Sequence, residues 1–458
     1  MKTRLLFLLL LCALIDTQAQ VAVPAISRLI GNDRLGKKDS VAAWTIHGQL
    51  TTIYQYHPAF SAAYSGANSL NSNSEGALSL TTTIFLGRKL WKGAAVFINP
   101  ELAAGNGFSA ARGMAGFPNG ETYRVGNPSP TPFIARVYLQ QVIALKHSTY
   151  DIQESDKNIL AGKLPDSRVV LRVGKFGISD FFDANTYSHD ARSQFMNWSL
   201  MASGAWDFPA DVRGYTYGFI AELIKPKWAI RAAMVTEPTL ANGTKLDLHI
   251  DKTNSETLEG EKRWQIKKHP GVVRATGFIA LTRAPHYRDA TAAMQNGDST
   301  LEKVIAGTLE GSTYSIKYGF GINAEQEITD YLGIFLRANW NDGHTATWAF
   351  TEIDNNVQLG MSMIGKLWKR PTDTWGLALV TNGISKDHQD YMRAGGHGFI
   401  IGDGHLNYAR ENILETYYRA QVASFLSLTL DYQFCLNPAY NHDRGPVNII
   451  GVRVHFDL

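Results

Sequence analysis

The chain has 458 residues with 44 basic and 41 acidic side chains, a formal charge of +3, 45% hydrophobic residues, 11% aromatic residues and 41 glycines. That near-neutral balance argues against a nucleic-acid binder and against a dedicated anion channel. Of the two cysteines, only Cys435 lies outside the N-terminal apolar run, so no intramolecular disulfide can support the exported chain.

At the N-terminus, Lys2 and Arg4 precede an apolar run over 5–15 and then Thr17, Gln18 and Ala19. This is the pattern of a signal peptide over 1–19, with cleavage after Ala19. The run is shorter than the roughly 18 apolar residues of a spanning helix, and Cys12 follows Leu11 rather than a small residue, which argues against a lipoprotein anchor. Cleavage removes two of the 44 basic residues and one of the 41 acidic ones, leaving a formal charge of +2. Residues 20–43, with Lys37 and Lys38, read as a leader, and 44–458 as the main domain.

From Trp44 onward the pattern has period two. Trp44, Ile46, Leu50, Tyr54 and Tyr56 share one face, and Thr45, His47, Gln49, Thr51 and Gln55 share the other. Alternation returns over 78–90, 135–145, 215–223, 228–236, 314–324, 332–340, 357–363 and 426–434. It runs to the end of the chain, where Ile450, Val452, Val454, Phe456 and Leu458 oppose Gly451, Arg453, His455 and Asp457. Successive strand side chains point to opposite faces, so each segment meets an apolar phase on one side and a polar one on the other. No later stretch is long and apolar enough for a membrane helix, which leaves a closed barrel as the way to satisfy every backbone group in lipid.

The fold class is therefore all-β, a transmembrane antiparallel β-barrel. Sixteen strands of about 10 residues use roughly 160 positions, and long loops on one side take most of the rest. An eight-stranded barrel would leave most of the chain outside the sheet. The unpatterned stretches 105–131, 180–213, 242–269 and 385–410 are candidate external or inward-folded loops. The folded domain sits in the bacterial outer membrane, with outer-membrane lipid and the barrel assembly machinery as expected partners and a homo-oligomer as an open option.

The usual catalytic signatures are missing: no HExxH, no GxSxG, no P-loop and no paired CxxC. The expectation is a non-enzyme without cofactor or bound metal. His388, His397 and His405 with Asp403 are metal-ligand types, but their irregular spacing in a Gly-rich loop argues against a site. Cys435, on the polar parity of its strand, reads as a small buried thiol. The densest stretch, 174–218, sets Asp180, Asp183, Asp190, Arg192, Asp207, Asp211 and Arg213 among aromatics. It is either a loop fixed by its own ion pairs or a loop folded into a lumen.

This stretch, GKFGISDFFDANTYSHDARSQFMNWSLMASGAWDFPADVRGYTYG, resembles the carbohydrate-selective porins of the OprB type. NPELAAGNG, GMAGFPNGE, GFIIGDGHLNYARENILETYY and NPAYNHDRGPVNIIGVRVHF resemble the same family and keep its order. The resemblance implies a sixteen-stranded porin that lets small neutral sugars diffuse across the outer membrane. The stretches 245–268 and 285–311 match nothing in that pattern. A general small-solute porin and an outer-membrane barrel enzyme are the alternatives.

A sugar is polar at its edges and apolar on its C–H faces, so a selective pore needs fixed hydrogen-bonding charges and aromatic rings. On the polar parity lie Arg136, Tyr138, Arg172 and Arg337, and Glu101 joins them from the NPE motif. Arg88 shares the parity of Leu86 and Leu90 and is kept only because it lies near a strand end. Arginine suits the donor role because its planar fork presents five N–H groups in fixed geometry.

Overall fold

The structure is a computed structural model and describes residues 43–122 and 127–458. The signal peptide and all but the last residue of the leader lie outside the described residues. The chain forms β1 (Trp44–His57), β2 (Glu75–Lys89), β3 (Ala94–Gly105) and β4 (Asn127–Ala144), then a short hairpin of β5 (Tyr150–Gln153) and β6 (Gly162–Pro165). There follow β7 (Arg168–Phe176), β8 (Thr216–Lys225), β9 (Trp228–Val235), β10 (Asn254–Ile266), β11 (His269–Thr282) and β12 (Ser315–Thr329). The last six are β13 (Leu332–Asn341), β14 (Asn355–Gly365), β15 (Arg370–Gly383), β16 (Glu411–Ala423), β17 (Leu426–Leu436) and β18 (Val447–Asp457).

All strands except β5 and β6 close into one barrel, sixteen in number, each antiparallel to the next in the order of the chain. Closure comes from β1 against β18, with Thr51 opposite His455 and Tyr54 opposite Val452. Closing the ring removes the free edges that lipid cannot solvate.

The alternation has the opposite sense to that of a soluble protein. In β1 the exposed positions are Trp44, Ile46, Tyr54 and Tyr56, while Thr45, Gln49, Thr51 and Gln55 are buried. Ile, Leu and Val fill the middle of the outward face, as at Ile230, Leu258, Ile334 and Leu430. Outward Trp44, Trp91, Trp228 and Trp264 sit at the rim of short turns, where amphipathic rings favour the boundary between lipid and water. The apolar core lies inside the barrel: Phe108, Met114, Phe117, Trp198, Trp206, Trp348 and Phe350 pack together there.

At one rim the connections are short, at 90–93, 226–227, 267–268, 330–331, 366–369 and 424–425, and both barrel termini lie there. This is the periplasmic side of an outer-membrane barrel. The expectation of long loops on one side needs one correction, because 145–167, carrying β5 and β6, is a long connection at the short-turn rim. A second correction concerns 242–269, read as a loop, which contains β10. Its outward positions include Glu256, Gly260 and Lys262, so the apolar contrast that marks a strand is absent there. The stretch 285–311 holds helices at Tyr287–Gln295 and Thr300–Ile305, between β11 and β12.

Candidate functional site

The loop 177–215 leaves the barrel between β7 and β8 and crosses the lumen to the opposite wall. It is held there by strand side chains that reach its backbone. Glu415 accepts from the N–H groups of Met196 (2.5 Å) and Asn197 (3.1 Å). Gln358 donates to the Ala202 carbonyl at 2.9 Å, and Arg453 to the carbonyls of Ala191 and Gln194 at 2.8 Å each. Gly333 on β13 makes room for this loop, since a Cβ there would lie 1.9 Å from the Tyr187 ring.

Arg337 belongs to this anchoring set. Its side chain is 0% exposed and donates to Asp183 Oδ1 (3.2 Å) and to the carbonyls of Ser188 (2.6 Å) and Leu200 (3.0 Å). Asp183 also accepts from Asn323 Nδ2 and the Ser203 N–H, each at 2.6 Å. A buried guanidinium with a carboxylate and several carbonyls around it is satisfied, and such a group fixes geometry rather than offering free donors.

Six adjacent strands carry a second network. Arg172 on β7 pairs with Glu222 on β8, and Glu222 accepts from Arg231 on β9 at 2.8 Å. Arg231 reaches Glu259 (2.9 Å) and Glu261 (3.0 Å) on β10. Arg274 on β11 then joins Glu261 (2.9 Å) to Glu325 on β12 (3.2 Å). The alternating signs satisfy each charge along the wall and keep the net field low.

The third cluster joins the loop to the wall of β1–β4. Glu101 on β3 accepts from Thr83 Oγ1 (2.5 Å), Arg192 Nη2 (3.1 Å) and Tyr215 Oη (3.1 Å). Arg192 also donates to Glu121 (2.8 Å), Thr83 (2.7 Å) and Gln49 (3.3 Å). Burial works against the Arg192 charge, yet Glu121 and Glu101 hold its pKa above the ordinary arginine value. Arg136 on β4 makes a bidentate pair with Asp180, at 2.7 and 2.6 Å, and its guanidinium lies 5.1 Å from the centre of the Tyr215 ring. Tyr138 packs edge-on to Phe181, and Arg172 lies 4.1 Å over that same ring. Arg136, Asp180 and Arg192 keep side-chain exposures of 16%, 26% and 14%.

Glu101, Arg136, Tyr138 and Arg172 are thus brought to one side of the lumen, with charged forks and ring faces interleaved. Arg337 lies in the loop anchor instead. Arg88 stands on the outward face with its guanidinium 4.8 Å over the exposed Trp44 ring, and takes no part in the cluster. Asp180, Arg192 and Tyr215 complete the cluster and were not among the residues picked from strand parity. Their signal in the sequence is the crowding of charges and aromatics over 174–218, which does not tell which of them face the lumen.

The histidines of the 385–410 loop do not converge. His388 pairs with Asp354 (3.0 Å), His397 with Glu302 (2.9 Å), and His405 lies 3.9 Å from Asp443. At the periplasmic rim, His269 lies 2.7 Å from Glu327 and 3.8 Å from Asp330, ligand types that could hold a metal ion. Lys268 already sits 2.9 Å from Asp330. Cys435 is buried.

Comparison with known proteins agrees with this architecture. Residues 76–458 match the family described as carbohydrate-selective porin, OprB family. The high-pH structure of Pseudomonas putida OprB is similar with a TM-score of 0.65 at 16% identity, covering 90% of this chain and 94% of that one. Porin AaxA of Chlamydia abortus is 19% identical over 292 residues, 64% of this chain, and the match spans 54% of that relative's length.

Proposed function

This outer-membrane barrel belongs to the carbohydrate-selective porin family, OprB type, and from that premise we propose that it is a non-enzymatic channel through which neutral sugars pass by diffusion. The observation that carries the reading is the cluster of Glu101, Arg136, Asp180 and Arg192, with the rings of Tyr215, Phe181 and Tyr138, on one side of the lumen. The paired charges present fixed donors and acceptors to hydroxyl groups, and the half-buried Phe181 ring offers apolar surface to C–H groups, while the buried rings of Tyr138 and Tyr215 hold the charges in place. Each charge has an opposite partner, so the path favours neutral polar solutes over ions of either sign. Arg172 supports the cluster from the wall, through the Phe181 ring and Glu222.

Planar-bilayer conductance with sugars as blockers tests the assignment. Arg136→Ala and Arg192→Ala each remove charge-assisted hydrogen bonds of about 1.5–3 kcal/mol gross, part of which water restores. Sugar block is expected to weaken in both variants and small-ion selectivity to shift toward cations. Parent-like block and selectivity in both would remove these residues from the path. Absence of sugar-dependent block in the parent, with no sugar flux in liposome swelling, would overturn sugar selectivity in favour of a general small-solute pore.

A further inference from the structure

The periplasmic rim carries a segment that closing the barrel does not require. Six of its connections are turns of two to four residues, while the chain between β4 and β7 runs out over 145–167 and folds as the β5–β6 hairpin. The hairpin tip turns back into the barrel mouth. Ser155 Oγ lies 2.7 Å from Thr45 Oγ1 and 3.1 Å from His47 Nε2. Lys157 Nζ donates to Asp457 at 2.7 Å. Asn158 and Asn99 exchange two amide hydrogen bonds, at 2.9 and 3.0 Å. Asn158 makes this tight turn at a φ of +57°, a conformation its short amide side chain tolerates, and Asp156 bridges Ile159 across it.

The tethers lie on inward positions of β1, β3 and β18, whereas the segment is rooted between β4 and β7. The tip therefore spans part of the mouth and does not simply hang below its own strands. Leu160 packs against the apolar cluster inside the barrel, which places the tip within the lumen entrance. Asn99 is completely buried and stands two residues before Glu101 on the same face of β3. A solute that has passed Glu101 and Arg192 meets the tip next.

We propose that 145–167 is a strap forming a second restriction on the solute path, on the periplasmic side of the Glu101 and Arg192 cluster, with Ser155, Lys157 and Asn158 as the groups a leaving sugar meets. This rests on the channel reading above. The strap is tied across the mouth by hydroxyl, amide and ammonium groups, the same donors and acceptors that sugar hydroxyls use. It thus sets the width of the exit and gives it polar contacts.

Replacing 146–166 with Asn-Gly tests the strap, because Leu145 N–H already donates to the Ser167 carbonyl at 2.9 Å, as a two-residue hairpin needs. Single-channel conductance is expected to rise by about twofold or more, as a restriction in series is removed. The sugar concentration for half-block at the Glu101 cluster is expected to stay as in the parent. Unchanged conductance would overturn the proposal. Should the shortened chain fail to insert, Lys157→Glu in the full chain decides: reversal potential in a salt gradient moves toward cation selectivity when the tip lies on the path, and a parent-like potential overturns it. Raised conductance without sugar block in the parent would keep the strap and remove the sugar reading.

Discussion

Two six-strand stretches of the lumen wall, β7–β12 and β13–β18, satisfy their inward polar groups in different ways. From β7 to β12 the inward charges pair mainly with one another, Arg172, Glu222, Arg231, Glu261, Arg274 and Glu325 forming a ladder along the sheet, although Glu259 and Glu325 also accept from the loop N–H groups of Asp183 and Thr186. From β13 to β18 the inward side chains reach away from the sheet to loop backbone. Arg337, Gln358, Glu415 and Arg453 bind carbonyls and N–H groups of 177–215, and Glu411 accepts from the N–H groups of Ala115 (3.0 Å) and Gly116 (2.7 Å). Both stretches thus touch the loop, the first through Glu259, Asn323 and Glu325 near Asp183 to Thr186, the second along most of the rest of its course. The cluster proposed as the narrow part of the path lies apart from both stretches, where loop residues Asp180 and Arg192 meet β3 and β4.

The largest test of this contrast is Arg337→Ala. It leaves Asp183 buried beside carbonyls without its cation, and breaking such a buried pair costs about 3–5 kcal/mol. The loop is expected to detach, giving larger and noisier conductance and unfolding in detergent at a lower temperature. A quiet, parent-like channel would show that the loop is not held by this wall. Arg231→Ala is the matched variant on the ladder, and its effect is smaller because its acceptors keep other donors. Glu222 retains Arg172, Glu261 retains Arg274, and Glu259 retains Thr276 and the Asp183 N–H. A loss of about 1.5–3 kcal/mol is expected, with cation selectivity raised and no increase in current noise. Noise like that of the Arg337 variant would erase the distinction between the two walls.

How much of this was legible follows from the same contrast. The barrel was readable because lipid selects every second side chain, so alternation survives in β1, β9, β13, β17 and β18 without knowledge of their neighbours. It failed in β10, where Glu256, Gly260 and Lys262 face outward, and weakened in β15, where inward Ala378 and Val380 match outward Leu377 and Leu379 in polarity. Arg136, Tyr138, Arg172 and Arg337 fall on the inward face, as parity requires. Parity says nothing, however, about what lies across the lumen. Whether an inward arginine faces a loop carbonyl, like Arg337, or a loop carboxylate, like Arg136, depends on a loop with no sequence period. The strap at 145–167 escaped for the same reason, since its tethers to Thr45 and Asn99 are long-range polar contacts.

The smallest expected effect concerns whether a carboxylate that serves loop backbone differs in protonation from one inside a ladder. Glu352, in the loop between β13 and β14, accepts from the N–H groups of Ile400 (2.8 Å) and Ile401 (2.9 Å), and among the described residues no arginine or lysine donates to it. Burial pushes its pKa up to about 7, although His388 and the two amides draw it down and Asp354 adds to the rise. A carboxyl raised in this way binds its proton more tightly folded than unfolded. Its contribution to stability is therefore greatest when protonated, and declines as pH rises from the unfolded value near 4.5 through about 7. Glu352→Gln mimics the neutral form and keeps one oxygen, which suffices because both amides donate to the same carboxylate oxygen. In thermal unfolding of the folded barrel across that interval, the parent is expected to lose stability with rising pH while the variant follows a flatter profile. Equal slopes would mean that Glu352 stays ionised throughout, and that backbone amides alone hold a buried carboxylate as firmly as the arginines of the opposite wall do.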